Sequence, residues 1–135
     1  MDAGRTITPL LTVTAGIRRA QFWLFLGYCT WLSLTPAPQR VLVDNFSDKT
    51  LHAVGYLLLM LSCDLAHRSG RSMPLKLLLL LGYSALIELI QHLLPHREFS
   101  TGDLLANLTG LLCAVLLIRM THPYLSRINH RFFSS

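Results

Sequence analysis

Charge is what this sequence has least of. Lys, Arg, Asp and Glu make up 14% of its 135 residues, against about 25% in a soluble domain. Only seven residues are acidic. A small soluble protein has a large surface for its volume, and so few charges argue against an ordinary soluble enzyme. Basic runs interleaved with aromatics are missing too, although the net charge is +5. That argues against a nucleic-acid surface, and no nucleic-acid partner is expected. Cysteine is scarce: Cys29, Cys63 and Cys113 stand far apart, each in an apolar run. An odd number at this spacing is neither a disulfide framework nor a zinc site. The three read as small buried hydrophobes. Internal repeats are absent, and so are low-complexity tracts other than leucine runs.

Hydrophobic residues fill the gap, at 52% of the chain with a mean hydropathy of +0.46. Disorder is excluded, because it requires low hydrophobicity. Four apolar runs stand out, at about 20–35, 51–66, 74–94 and 104–120. Each approaches the roughly 17–25 residues that cross a bilayer as a helix. Helix is the required form in lipid, where an open strand would leave backbone groups unpaired. A soluble four-helix bundle would need polar outer faces, and Leu77–Tyr83, reading LLLLLGY, has none. The linkers carry stop and turn residues, Pro36 and Pro38 in the first and Pro95 in the third. The expected fold is therefore an all-α integral membrane domain over residues 1–135, a single bundle of four transmembrane helices.

Basic residues orient the bundle. Arg5, Arg18, Arg19, Arg68, Arg71, Lys76, Arg119, Arg127 and Arg131 fall on one side of a four-span topology, and Arg40, Lys49 and Arg97 on the other. Nine against three places both termini in the cytoplasm. The first run follows Arg18–Arg19 as a signal peptide would, but Thr35–Pro36–Ala37–Pro38 is a poor cleavage site. It is read as an uncleaved first span.

The informative residues are polar groups inside apolar runs. Asp48, His52 and Tyr56 recur at i, i+4 and i+8, so they share a helix face, with Lys49 beside them. Ser47 or Asp48 is also a natural helix cap. Ser84, Glu88 and Gln91 make a second stripe. Glu88 lies six residues before Leu94, about 9 Å below the helix end. An acid at that depth is costly unless it faces protein or water; interhelical glue is its bland role. Asp103, Asn107, Gly110 and Ala114 make a third stripe, introduced by Ser100-x-x-Asp103, which has the form of a capping box. Gly110 and Ala114 suit close helix packing. Arg97 sits in the short loop before them, placed to meet an acid or a phosphate. All three stripes lie at outward ends of spans, which suggests one shared site. Asp64, near the opposite end of the second run, reads as interfacial.

These residues carry a resemblance. Asp48-Lys49-x-x-His52-x-x-x-Tyr56, followed by Glu88-x-x-Gln91-x-x-x-Pro95-x-Arg97-x-x-Ser100-x-x-Asp103-x-x-x-Asn107-x-x-Gly110, resembles the VanZ-like family. The likeness runs from about Asp48 to Ala114. It implies a multi-pass protein of the bacterial cytoplasmic membrane, in a family named after an accessory protein associated with teicoplanin resistance. It assigns no catalytic residue. The motif positions it marks are Asp48, Lys49, His52, Tyr56, Glu88, Gln91, Arg97, Asp103 and Asn107.

Two readings of the site follow. In the first, the polar cluster binds the head group of a lipid-linked cell-wall intermediate or an amphiphilic drug, with Lys49 and Arg97 meeting phosphate or carboxylate. In the second, a small membrane enzyme acts on such a lipid, with His52, Glu88 and Asp103 as catalytic candidates. A proton-linked transporter is disfavoured by the lack of an inverted repeat. No cofactor is expected, and no metal, because no tight ligand spacing appears among the acids and histidines. Beyond the bilayer itself, the expected partner is the lipid-linked intermediate.

Overall fold

The computed structural model describes residues 3–35, 47–67, 72–94 and 100–133, with side chains placed for 14–35, 47–67, 72–94 and 100–121. Four helices make up these residues: α1 (Ala3–Leu34), α2 (Asp48–Ala66), α3 (Met73–His92) and α4 (Thr101–Phe133). Their starts follow from local chemistry. Ser47 is extended and its Oγ accepts from the Thr50 N–H at 3.3 Å, capping α2. Pro74 sits in the first turn of α3, where no intrahelical N–H bond is lost. The Asp103 N–H donates to Ser100 Oγ at 3.2 Å, the capping interaction expected before α4.

Two boundaries depart from the apolar runs. Helix α1 starts at Ala3 rather than near residue 20, and α4 runs on to Phe133 rather than stopping near Met120. Hydropathy marks only the length that suits lipid, whereas helical hydrogen bonding continues through polar residues on either side. At 32 and 33 residues, these helices are about 48–50 Å long. That exceeds a hydrocarbon core of about 30 Å.

Cross-helix contacts fix the directions. Gln21 Nε2 donates to Ser62 Oγ at 2.8 Å, while Cys29 and Ser33 lie near His52 and Tyr56, so α1 and α2 are antiparallel. Asp64 meets Lys76 and His52 meets Glu88, so α2 and α3 are antiparallel. Lys49 lies at Gly102, His52 at Asn107 and Ala53 at Gly110, so α2 and α4 run parallel. The helices thus alternate up, down, up, down. The N-termini of α2 and α4 share one end of the bundle, here the top.

The tightest seam is between α2 and α4. A Cβ on Gly110 would lie 2.1 Å from the Ala53 carbonyl oxygen and 3.0 Å from the Leu57 nitrogen. Only glycine lets the two backbones meet this closely. Leu59, Met60, Leu111 and Ala114 fill the core along this seam. Cys63 is buried as expected, but Cys29 is only partly buried and Cys113 is exposed. Residue 113 falls on the outward side of α4, where a small hydrophobe needs no burial if lipid is its solvent.

Burial differs from that of a water-soluble bundle in two respects. Lys76, Ser84, Glu88, Gln91 and Asn107 are each no more than 3% exposed, while Leu24, Leu78, Leu105 and Met120 are between 64% and 75% exposed. Polar groups inside and leucines outside is the distribution a bilayer favours. Met73–His92 and Thr101–Thr121 are each long and apolar enough to cross a membrane. Asp64 is not merely interfacial. Its Oδ1 accepts from Lys76 Nζ at 2.7 Å, with the lysine buried.

Candidate polar site at the top of the bundle

His52 is the centre of the top cluster. It sits one turn inside α2, and its side chain is 8% exposed. Its Nδ1 lies 3.0 Å from Asn107 Oδ1 on α4. The Asn107 amide donates in turn from Nδ2 to Ser84 Oγ on α3, at 2.8 Å. This chain leaves the Asn107 carbonyl oxygen to accept from His52 Nδ1–H, which turns Nε2 towards Asp103. Glu88 Oε1 lies 4.0 Å from the same Nδ1. On the other face of the ring, Nε2 is 3.8 Å from Asp103 Oδ2.

Two helix starts feed this arrangement. Asp48 is the first residue of α2 and Asp103 lies in the first turn of α4. Both carboxylates are favoured there by the positive ends of the helix dipoles. Asp48, His52 and Asp103 each offer one ligand atom, and these atoms lie within 4.8 Å of one another. Residues 48, 52 and 103 reveal this only after the two helices pack in parallel, which spacing along the chain does not show. Lys49 is exposed and lies over Gly102, its Nζ 3.2 Å from where a Cβ would stand. The ammonium therefore lies beside the start of α4.

A cleft between α1 and α2 reaches the cluster. Leu32, Leu51 and Leu59 form its apolar wall, and Asp48, His52 and Tyr56 its polar part. Tyr56 is buried and its ring lies 6.1 Å from that of Tyr83. The arrangement is amphiphilic: a hydrocarbon chain suits the wall and a charged group suits the end.

Of the residues singled out in the sequence, Asp48, His52, Glu88, Asp103 and Asn107 come together, and Tyr56 lines the adjoining cleft. Gln91 turns elsewhere. It is buried, but its Nε2 donates to the Ser33 carbonyl oxygen of α1 at 2.7 Å. Arg97 lies outside the described residues. Ser84 gains a defined part as the acceptor that orients Asn107. Its place one turn before Glu88 was the available signal.

Comparison with known sequences decides the family. Residues 22–122 match the family described as VanZ/LLP1. The chain belongs to the VanZ-like family. The match takes in the C-terminal part of α1, all of α2 and α3 and the membrane-length part of α4, so it extends beyond the motif positions. No curated protein and no solved structure shows significant similarity to the chain. Membership makes this a membrane-associated protein and leaves the chemistry of the top cluster to be argued from its own geometry.

Proposed function

We propose that this VanZ-like protein crosses the bacterial cytoplasmic membrane four times and binds a lipid-linked or amphiphilic ligand at the outer leaflet. The cleft between α1 and α2 carries this reading. It joins a leucine wall to Asp48 and His52 in one cleft. The polyprenyl or acyl part of a lipid-linked cell-wall intermediate lies along the wall, and its head group reaches Lys49 and the cluster around His52. Arg97 adds a second cation from the loop before α4.

The four-span topology draws support from the alternating helix directions and from the basic residues. Alternation brings the start of α1 and the end of α4 to the same side, and nine of the twelve basic residues assign that side to the cytoplasm. Reporter fusions after Ser135 and within residues 39–45 test it. The expected result is a cytoplasmic reporter at the C-terminus and an external one in the first linker. An external C-terminus would refute the topology.

A second reading makes the same cluster catalytic. Support comes from the paired environment of His52, whose two nitrogens face Glu88 and Asp103 at 4.0 and 3.8 Å. Such a histidine can exchange a proton with a carboxylate when substrate closes the gap. Purified protein supplied with a polyprenyl phosphate separates the two readings. The binding reading predicts saturable binding and unchanged lipid; the enzymatic reading predicts product. Protein that neither binds nor converts such lipids would defeat both. Teicoplanin tolerance of a deletion strain is the phenotype to score alongside.

A further inference from the structure

We propose that Asp48, His52 and Asp103 form a binding site for one divalent first-row transition-metal ion, of the Mn²⁺ or Zn²⁺ class. The ligand set is one imidazole nitrogen and two carboxylate oxygens. Helix dipoles alone account for carboxylates at residues 48 and 103. They do not account for a buried histidine whose Nε2 faces one of them. With Nδ1 turned to Asn107, Nε2 lies 3.8 Å from Asp103 Oδ2, too far for a hydrogen bond and wide enough to admit an ion between them.

The spacing fits an ion. Metal–ligand bonds of about 2.0–2.2 Å at tetrahedral angles put adjacent ligand atoms about 3.3–3.6 Å apart. The His52–Asp103 separation of 3.8 Å lies just above that range, and the ligand atoms of all three residues lie within 4.8 Å of one another. The support behind the ligand is also present. A metal-bound histidine usually donates its other ring N–H to an oxygen acceptor, which fixes its orientation. Asn107 supplies that acceptor and Ser84 holds Asn107. One imidazole with two carboxylates favours Mn²⁺ or Zn²⁺ over an all-oxygen Ca²⁺ or Mg²⁺ site.

Three protein ligands leave coordination positions open on the side of the cleft that Asp48 and His52 line. A phosphate or carboxylate head group would complete the ion there, beside Lys49. This last step rests on the ligand reading above; metal binding does not, and it is measured without lipid.

The test uses the full chain in detergent, stripped with a chelator and titrated with Co²⁺, Zn²⁺, Mn²⁺ and Mg²⁺. The expected result is one Co²⁺ or Zn²⁺ per chain, bound at least tenfold more tightly than Mg²⁺. Asp103→Asn and His52→Ala should each weaken it at least tenfold. Asn107→Leu should keep the stoichiometry and weaken affinity by about 10–100-fold. The proposal falls if no ion binds at one per chain, or if binding ignores these substitutions. Should the variants fail to fold, pulsed EPR on Mn²⁺-loaded wild-type protein decides. Coupling to one histidine nitrogen supports the site, and its absence overturns it.

Discussion

The two ends of the bundle bury polar groups in different ways. At the bottom, Lys76 and Asp64 meet at 2.7 Å in a direct ion pair, with Gln21 and Ser62 bonded at 2.8 Å nearby. Charge is matched one to one. At the top, His52 faces Glu88 at 4.0 Å and Asp103 at 3.8 Å, beyond hydrogen-bond reach of either, and a cleft opens beside it. Three acids, Asp48, Glu88 and Asp103, gather around one imidazole. A contact that only holds helices together gains most when short and complete. The bottom has that character. The top is held open, with His52 oriented from behind by Asn107 and Ser84, as a site awaiting a further group would be.

Substitutions can break this contrast, and the largest loss of stability belongs to the bottom. Lys76→Met leaves Asp64 without its cation and should cost about 2–3 kcal/mol, below the full penalty for a broken buried pair because Asp64 is 23% exposed. Adding Asp64→Leu should return most of that loss, since a packed apolar pair replaces a satisfied ionic one. Thermal unfolding in a single detergent measures both. Failure of the double variant to recover would mean that the pair supplies more than charge balance.

Gly110→Ala comes next. The new methyl group would meet the Ala53 carbonyl, which cannot rotate away, so α2 and α4 must separate. A cost of about 2 kcal/mol is expected, together with altered geometry at His52, because the same seam positions Asn107. Asn107→Leu should cost less, about 1 kcal/mol in a membrane setting. It should loosen His52 and so reduce metal and ligand binding more than stability. A variant that loses stability but keeps full binding would show that Asn107 serves only packing.

Much of the top cluster was legible in the sequence, because helical periodicity puts Asp48, His52 and Tyr56 on one face and Asp103 and Asn107 on another. What spacing could not show was which faces meet. Asp64 and Lys76 are separated by a turn, and each looked like a boundary charge until α2 and α3 packed antiparallel. Gln91 shared a stripe with Glu88, yet it bonds to a backbone carbonyl of α1, an acceptor that every residue carries and no pattern marks. The metal-like grouping needed α2 and α4 side by side and parallel. Helix ends were invisible for another reason. Hydropathy falls off near residues 20 and 120, but the helical hydrogen-bond ladder does not depend on it.

Glu88→Gln should have the smallest effect on stability and tests the central claim most directly. The amide keeps the size of the buried side chain, replaces one acceptor oxygen with a donor and cannot carry a charge. Binding of a short-chain polyprenyl phosphate is measured for wild-type and variant protein in the same detergent, beside their unfolding temperatures. The predicted result is a stability loss under about 1 kcal/mol with binding weakened at least tenfold. A variant as stable as the wild type that binds the lipid equally well would contradict the account and make the top of the bundle, like the bottom, a place where helices are simply held together.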